Sequence, residues 1–130
     1  MKRVIKKYPN RRLYDTEQSR YITLADVRDL VTGGTAIRVV DQASGTDITR
    51  NILMQVIAEQ ELHGESIMSE AFLAQVIRAH EHVAAGFLGR HLEKSLTTWL
   101  AQQNELLGEV RQAVGGTETV ENATNRQKVG

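Results

Sequence analysis

Apolar residues in the first sixty positions fall into short alternating groups, each followed by a helical stripe, and the arrangement occurs twice. Displaced by twenty-six positions, Leu13-Tyr14-Asp15 meets Val39-Val40-Asp41, and Ile22-Thr23 meets Ile48-Thr49. Val27, Leu30 and Val31 likewise meet Leu53, Val56 and Ile57. Each copy predicts a strand, an acid-containing turn, a short strand and a helix. The turns are residues 15–20 and 41–46, and residues 37–40 are the clearest strand. Thr23 and Asp26 have the spacing of a capping box, and Thr49 takes the equivalent N-cap position in the second copy. The first helix is expected to bury Leu24, Val27, Leu30 and Val31 and to stop at Gly33-Gly34. The second is expected to bury Ile52, Leu53, Val56 and Ile57. A core of about sixty residues is marginal for independent stability, so oligomerisation is expected to help.

Beyond a break at 63–66, Ser69-Glu70 open a helical region reaching about Val114. Its apolar positions run Phe72, Leu73, Val76, Ile77, Val83, Phe87 and Leu88, then Leu92, Leu96, Trp99, Leu106 and Val110. With Gln103 included, the second set advances in steps of four and three, which is heptad spacing. Leu100, Leu107 and Val114 widen the stripe. Gly86 and Gly89 each weaken a helix by about 1 kcal/mol relative to Ala, so a bend or break is expected there. The polar run from Gly115 lacks periodicity and predicts a disordered tail. The fold class is α+β: a small N-terminal domain of repeated strand-turn-strand-helix units, then a long, broken helical region for oligomerisation. The expected divisions are 1–62, 67–114 and 115–130.

Charge changes this picture at one place. Lys plus Arg and Asp plus Glu balance at sixteen each, but residues 1–60 hold ten basic and seven acidic residues. The excess lies in the first twelve residues, where Lys2, Arg3, Lys6, Lys7, Arg11 and Arg12 occur before any acid. Tyr8, Tyr14 and Asn10 sit among them. Pro9-Asn10 signals a turn, because Pro presets φ and Asn tolerates a left-handed backbone. The stretch predicts a basic two-stranded ribbon. Such a ribbon attracts phosphates, and Arg, Lys and Asn also bond base edges. A solvated charge run at a terminus accounts for the same composition.

Other chemistry is weakly supported. There is no cysteine, hence no disulfide or thiolate site. No apolar run reaches signal-peptide or transmembrane form, so a cytoplasmic protein without a membrane span is expected. His80 and His82 lie two apart on a predicted helix and point to different faces, so they are poorly placed to share one metal ion and read as surface or interface histidines. Asp15 and Asp41 occupy equivalent turn positions and are expected to cap those turns. No phosphate loop or nucleophile-base set is present. The expectation is a protein that is not an enzyme and carries no cofactor or metal.

The run Lys6-Lys7-Tyr8-Pro9-Asn10-Arg11-Arg12-Leu13-Tyr14-Asp15-Thr16, followed by Tyr21-Ile22-Thr23-Leu24, resembles the N-terminal signature of the polyhydroxyalkanoate synthesis repressors. Asp47-Ile48-Thr49-Arg50 and residues 52–61 extend the likeness. Phe72-Leu73, Gln75, Ile77-Arg78, residues 92–96 and Gln102-Gln103 are similar to the family's second region. The resemblance spans roughly residues 2–103. It implies a repressor that binds operator DNA upstream of granule-associated genes and also binds the stored polyester (PHB and its relatives). It implies DNA contact by Lys2, Arg3, Lys6, Lys7, Tyr8, Asn10, Arg11, Arg12 and Tyr14. The resemblance supplies the polymer as ligand, and the apolar stripe offers Phe72, Phe87, Leu88, Leu92, Leu96, Trp99, Leu100 and Leu106 for polymer or subunit contact. A homodimer or homotetramer located at nucleoid and granule surface is expected. The alternative is a granule coat or interaction protein without a specific DNA site.

Overall fold

The computed structural model describes residues 1–82 and 84–128, with backbone alone at 110, 111 and 113–128. The chain divides into two compact units, Met1–Glu70 and Ala71–Gly130. The first is α+β. Its elements are β1 (Arg3–Lys7), β2 (Leu13–Asp15), β3 (Arg20–Ile22), α1 (Leu24–Thr32), β4 (Ile37–Asp41) and α2 (Thr49–His63). The sheet order is β3-β2-β1-β4. β1 runs antiparallel to β2 and parallel to β4, and β2 pairs antiparallel with β3.

The twenty-six-residue repeat survives only in part. The first copy forms β2, β3 and α1. The second forms β4 and α2, but where β3 would recur there is a lone bridge between Val40 and Asp47. The reason lies at the sheet edge. β4 has β1 on one side, and on the other the Val39 carbonyl accepts from Ile48 N–H (2.8 Å). The Val39 N–H donates to Thr49 Oγ1 (2.8 Å). Residues 47–49 therefore close the strand edge and start α2 at once. Thr49 consequently is not the expected N-cap. The N-cap position falls to Ile48, which makes no side-chain cap, and Asp47 Oδ1 accepts the Thr49 N–H (2.9 Å). Satisfying the buried polar groups of an edge strand takes precedence over capping a helix that packing already holds. The strands of the two copies are separated by β1, which lies between β2 and β4, while their helices α1 and α2 pack together over one shared core.

α1 and α2 cover one sheet face. Ile5, Leu13, Ile22, Ile37 and Val39 meet Val27, Ile52 and Val56 there in one buried cluster, flanked by Leu24, Leu30, Ile48 and Leu53. Val31 and Ile57, expected inside, are exposed. Each lies at the margin of its helical stripe, beyond the reach of a four-stranded sheet. The α1 start is as predicted: Asp26 N–H donates to Thr23 Oγ1 (3.2 Å), and Thr23 N–H donates to Asp26 Oδ2 (2.8 Å). Gly33 is its C-cap.

The second unit contains α3 (Glu70–Ala79) and α4 (Ala85–Lys128). Gly86 and Gly89 lie inside α4, so the interruption falls before them, not at them. His80 closes α3 through its Nδ1, 2.8 Å from the Val76 carbonyl. The backbone of 115–128 is helical, where an aperiodic tail was expected. No proline interrupts the chain there, and a helix already under way extends at little cost even through polar residues.

Candidate nucleic-acid interface

The pleat of β1 divides its basic residues between two environments, because successive side chains alternate across a sheet. Ile5 lies on the helix-covered face. Lys6 lies on the other, in a row that the register defines as Tyr21, Tyr14, Lys6 and Val40 across the four strands. Val4 and Arg38 form the next row. Both helices of the unit pack on the opposite side, so this face is left open.

Three tyrosines occupy one end of the open face. The Tyr14 and Tyr21 ring centroids are 5.3 Å apart, Tyr8 and Tyr14 6.2 Å, and Tyr8 and Tyr21 6.3 Å. All three contacts are edge-to-face, the arrangement that ring quadrupoles favour. The Arg12 guanidinium carbon sits 4.2 Å from the Tyr21 ring centroid. Tyr8 and Tyr14 are half-buried by their neighbours, and Tyr21 remains 46% exposed.

The β1–β2 turn holds Arg11 and Arg12 at its tip. Tyr8 N–H donates to the Arg12 carbonyl (3.0 Å), and Arg11 N–H donates to the Tyr8 carbonyl (2.8 Å). The left-handed residue is Arg11, with φ 69°, not Asn10. Asn10 instead turns its Oδ1 onto the Arg12 N–H (3.1 Å). Its acceptor is thereby used within the turn, which weakens its case as a base-reading amide.

Arg3 is placed differently from the expectation that it meets phosphate. Its Nη2 lies 2.7 Å from Asp15 Oδ2, and its Nε bonds both carboxylate oxygens at 3.2 Å. Nη1 is 3.7 Å from Glu17 Oε1. The Arg3 hydrogen bond holds the Asp15 carboxyl below the usual range against the opposing effect of burial, and Glu17 and Gln18 N–H groups add to it. Asp15 thus caps its turn, as expected, and neutralises Arg3 as well. Lys7 shares the inner face with Asp41, its register partner. Asp41 also caps its turn, through Ser44 N–H and hydroxyl (2.9 and 2.8 Å). Lys2, Lys6, Arg11 and Arg12 form no ion pair among the described residues.

Tyr21 and Arg38 belong to this face but were absent from the sequence-based set. Arg38 Nε is 3.4 Å from Asp47 Oδ2. Only cross-strand register brings either one beside Lys6 and Tyr14. The alternation of residues 37–41 put Arg38 outward, yet it could not say which strand lay alongside.

In the second unit no described side chain is buried. Phe72, Phe87, Leu88, Leu92, Leu96, Trp99, Leu100 and Leu106 are all exposed. Leu92, Leu96, Trp99 and Leu106 share one face of α4 by their spacing, with Gln103 half-buried among them. Arg90 lies over the Phe87 ring at 4.7 Å. The side chains of Val83, Val110 and Val114 lie outside the described residues. Among the described residues there is no cluster suited to a metal ion, and no helix is long and apolar enough to cross a membrane.

The helices sheathe the sheet on one side, and on the other lie the tyrosine rings and cations that form no ion pair among the described residues. Residues 4–64 match the model of the PHB/PHA accumulation regulator DNA-binding domain, and residues 68–107 match that of the PHB accumulation regulatory domain. The chain belongs to the PHB accumulation regulator family. It is 55% identical over 104 residues to an uncharacterized protein of Allochromatium vinosum, covering 80% of this chain and 68% of that one. It is 54% identical over 104 residues to an uncharacterized protein in the phbA 5' region of Thiocystis violacea, covering 80% of this chain and 75% of the relative. No solved structure matches the chain.

Proposed function

We propose that this regulator is a transcriptional repressor of polyhydroxyalkanoate granule-associated genes. In this reading it binds operator DNA through the hairpin tip and open sheet face of its first unit. The observation that carries the reading is Arg12 on Tyr21 beside the unpaired Arg11, within residues matched by a DNA-binding domain. Lys2 and Lys6 meet phosphates, where charge and counterion release supply sequence-independent affinity. Arg11 and Arg12 reach base edges, where an arginine fork reads guanine. Tyr8 and Tyr14 line the same face. Arg3 is left out of the contact set because it is paired with Asp15, and Lys7 because the strand register places it on the inner face beside Asp41.

The second unit supplies the apolar surface. Its α4 stripe pairs with a second copy, as heptad spacing favours, and a dimer suits paired half-sites. Phe72, Phe87, Leu88, Trp99 and Leu100 meet the stored polyester, an uncharged polymer held by burial of apolar surface. Polymer then relieves repression by favouring a form that binds DNA poorly. A near-complete shift between the two forms takes about 5.5 kcal/mol of differential binding. Burial at about 25 cal/mol per Å² reaches that figure when several large side chains are covered.

The test is a gel shift with the duplex from upstream of the protein's own gene. Arg11→Ala/Arg12→Ala is expected to abolish the specific shift while circular dichroism stays native. Amorphous polymer granules added to the wild-type complex are expected to release DNA. A double variant that shifts the duplex normally removes the hairpin from the interface. A complex that persists beside saturating polymer leaves DNA binding without sensing.

A further inference from the structure

We infer that Tyr21, outside the basic run, is a positioning residue that holds the Arg12 guanidinium for DNA contact, an inference that rests on the proposed reading of this face. Arg12 is fixed at its backbone from both sides. Asn10 Oδ1 accepts its N–H, and its carbonyl accepts from Tyr8. What remains to be fixed is the long side chain, whose rotamer freedom would otherwise be lost on binding.

Four other arginine side chains of this unit are held by acceptors, whereas Arg11 and Arg50 form no ion pair among the described residues. Arg3 is locked to Asp15, Arg28 lies 3.2 Å from Asp29, Arg38 lies 3.4 Å from Asp47, and Arg20 Nε donates to Gln18. Each such bond consumes guanidinium donors. Arg12 makes no ion pair among the described residues and is held by a ring face instead. A ring face restrains a cation through its quadrupole and leaves the N–H edges free for a phosphate or a base. The ring is itself braced, because Tyr14 and Tyr8 pack against it edge-to-face at 5.3 and 6.3 Å between centroids. Tyr14 is its cross-strand register partner, so the brace is built into the β2–β3 pair. A surface hollow lined by Arg11, Arg12, Tyr21 and Thr23 adjoins the pair and gives a bound group room.

The test uses the full chain and two labelled duplexes, one enriched by the wild-type protein from a random pool and one scrambled. Affinity is measured by anisotropy across a salt series. Arg12→Ala is expected to cost about tenfold to a hundredfold on the enriched duplex, the range of a base-reading arginine. Tyr21→Ala should cost about threefold to tenfold, Tyr21→Phe should match wild type, and Tyr21→Ala in the Arg12→Ala background should add nothing. A solely structural ring would instead add its loss in both backgrounds, and that result overturns the inference. Loss in Tyr21→Phe equal to that in Tyr21→Ala also overturns it, by making the hydroxyl the contact. Tyr21→Leu keeps apolar cover without a quadrupole and carries the same expectations if Tyr21→Ala fails to fold. Full affinity in Arg12→Ala would sink the underlying reading of the face. A large loss in Arg12→Ala with none in Tyr21→Ala or Tyr21→Leu sinks only the positioning role.

Discussion

Arg3 and Asp15 are joined across β1 and β2 by a pair 2.7 Å long at its shortest, and Asp15 is 1% exposed. A cation from the basic run is thus part of the fold. Removing the carboxylate leaves a guanidinium of little exposure with only the more distant Glu17, which is costlier than removing both charges. Asp15→Ala is therefore expected to lower Tm by about 10 °C or more for a unit this size. Arg3→Met/Asp15→Leu should recover much of that loss. Thermal scans of the three proteins decide; a double variant no better than Asp15→Ala contradicts the account.

The acidic limb of stability follows from five carboxyls held below their ordinary range. Asp15 is held by the Arg3 hydrogen bond, Asp26 by the Thr23 N–H, Asp41 by the Ser44 hydroxyl, Asp47 by the Thr49 hydroxyl and Glu61 by the Ile67 N–H. A carboxyl with a depressed folded pKa contributes stability above its unfolded value, near pH 4, and loses it as pH falls through the folded one. Urea midpoints are expected to be level above about pH 5 and to fall below about pH 4. A midpoint unchanged between pH 6 and pH 3 would rule this out.

Thr49 fastens α2 to the edge of β4 through the Val39 N–H. Thr49→Val keeps the shape but leaves that donor, on a residue with no exposure, without a partner. The expected loss is about 1–3 kcal/mol by denaturant titration. Thr49→Ser, which retains the oxygen, should stay within about 1 kcal/mol of wild type. Equal losses in both would show that the methyl group matters as much as the hydrogen bond.

Arg11 holds a left-handed backbone at φ 69°, a conformation that costs a side-chain-bearing residue about 1–2 kcal/mol. Glycine adopts it freely but gives up chain entropy on folding. Arg11→Gly is expected to leave stability within about 1 kcal/mol of wild type, yet weaken operator binding by about 1–3 kcal/mol and relax specificity at the base it reads. Unfolding with loss of binding would assign Arg11 to the turn alone.

On α4, Leu96 and Trp99 are both more than half exposed. Leu96→Asp is expected to lower the mass found by light scattering at micromolar concentration, without reducing the helicity of the first unit. A wild-type monomer would refute the subunit interface.

The sequence alone determined several features that depend on neighbours along the chain. The capping box of Thr23 and Asp26, the stop at Gly33, the Asp15 and Asp41 turn caps and the helical stripes are local, because their bonds close within a few residues. The family signature lay in the same contiguous stretch. Tertiary structure decided what depends on which strand lies beside which. Pairing β1 with both β2 and β4 set Arg3 against Asp15, spent Thr49 on the Val39 edge and reduced the second copy of the repeat to a single bridge. The same register placed Tyr21 beside Tyr14 and under Arg12. Alternation tells that a strand residue faces one of two sides, but not which residues of distant strands share that side. One step of register would move every one of them to the opposite face. For this reason the basic run was legible from the start, whereas its division into an Arg3 paired with Asp15 for stability and an Arg12 exposed on a ring was not.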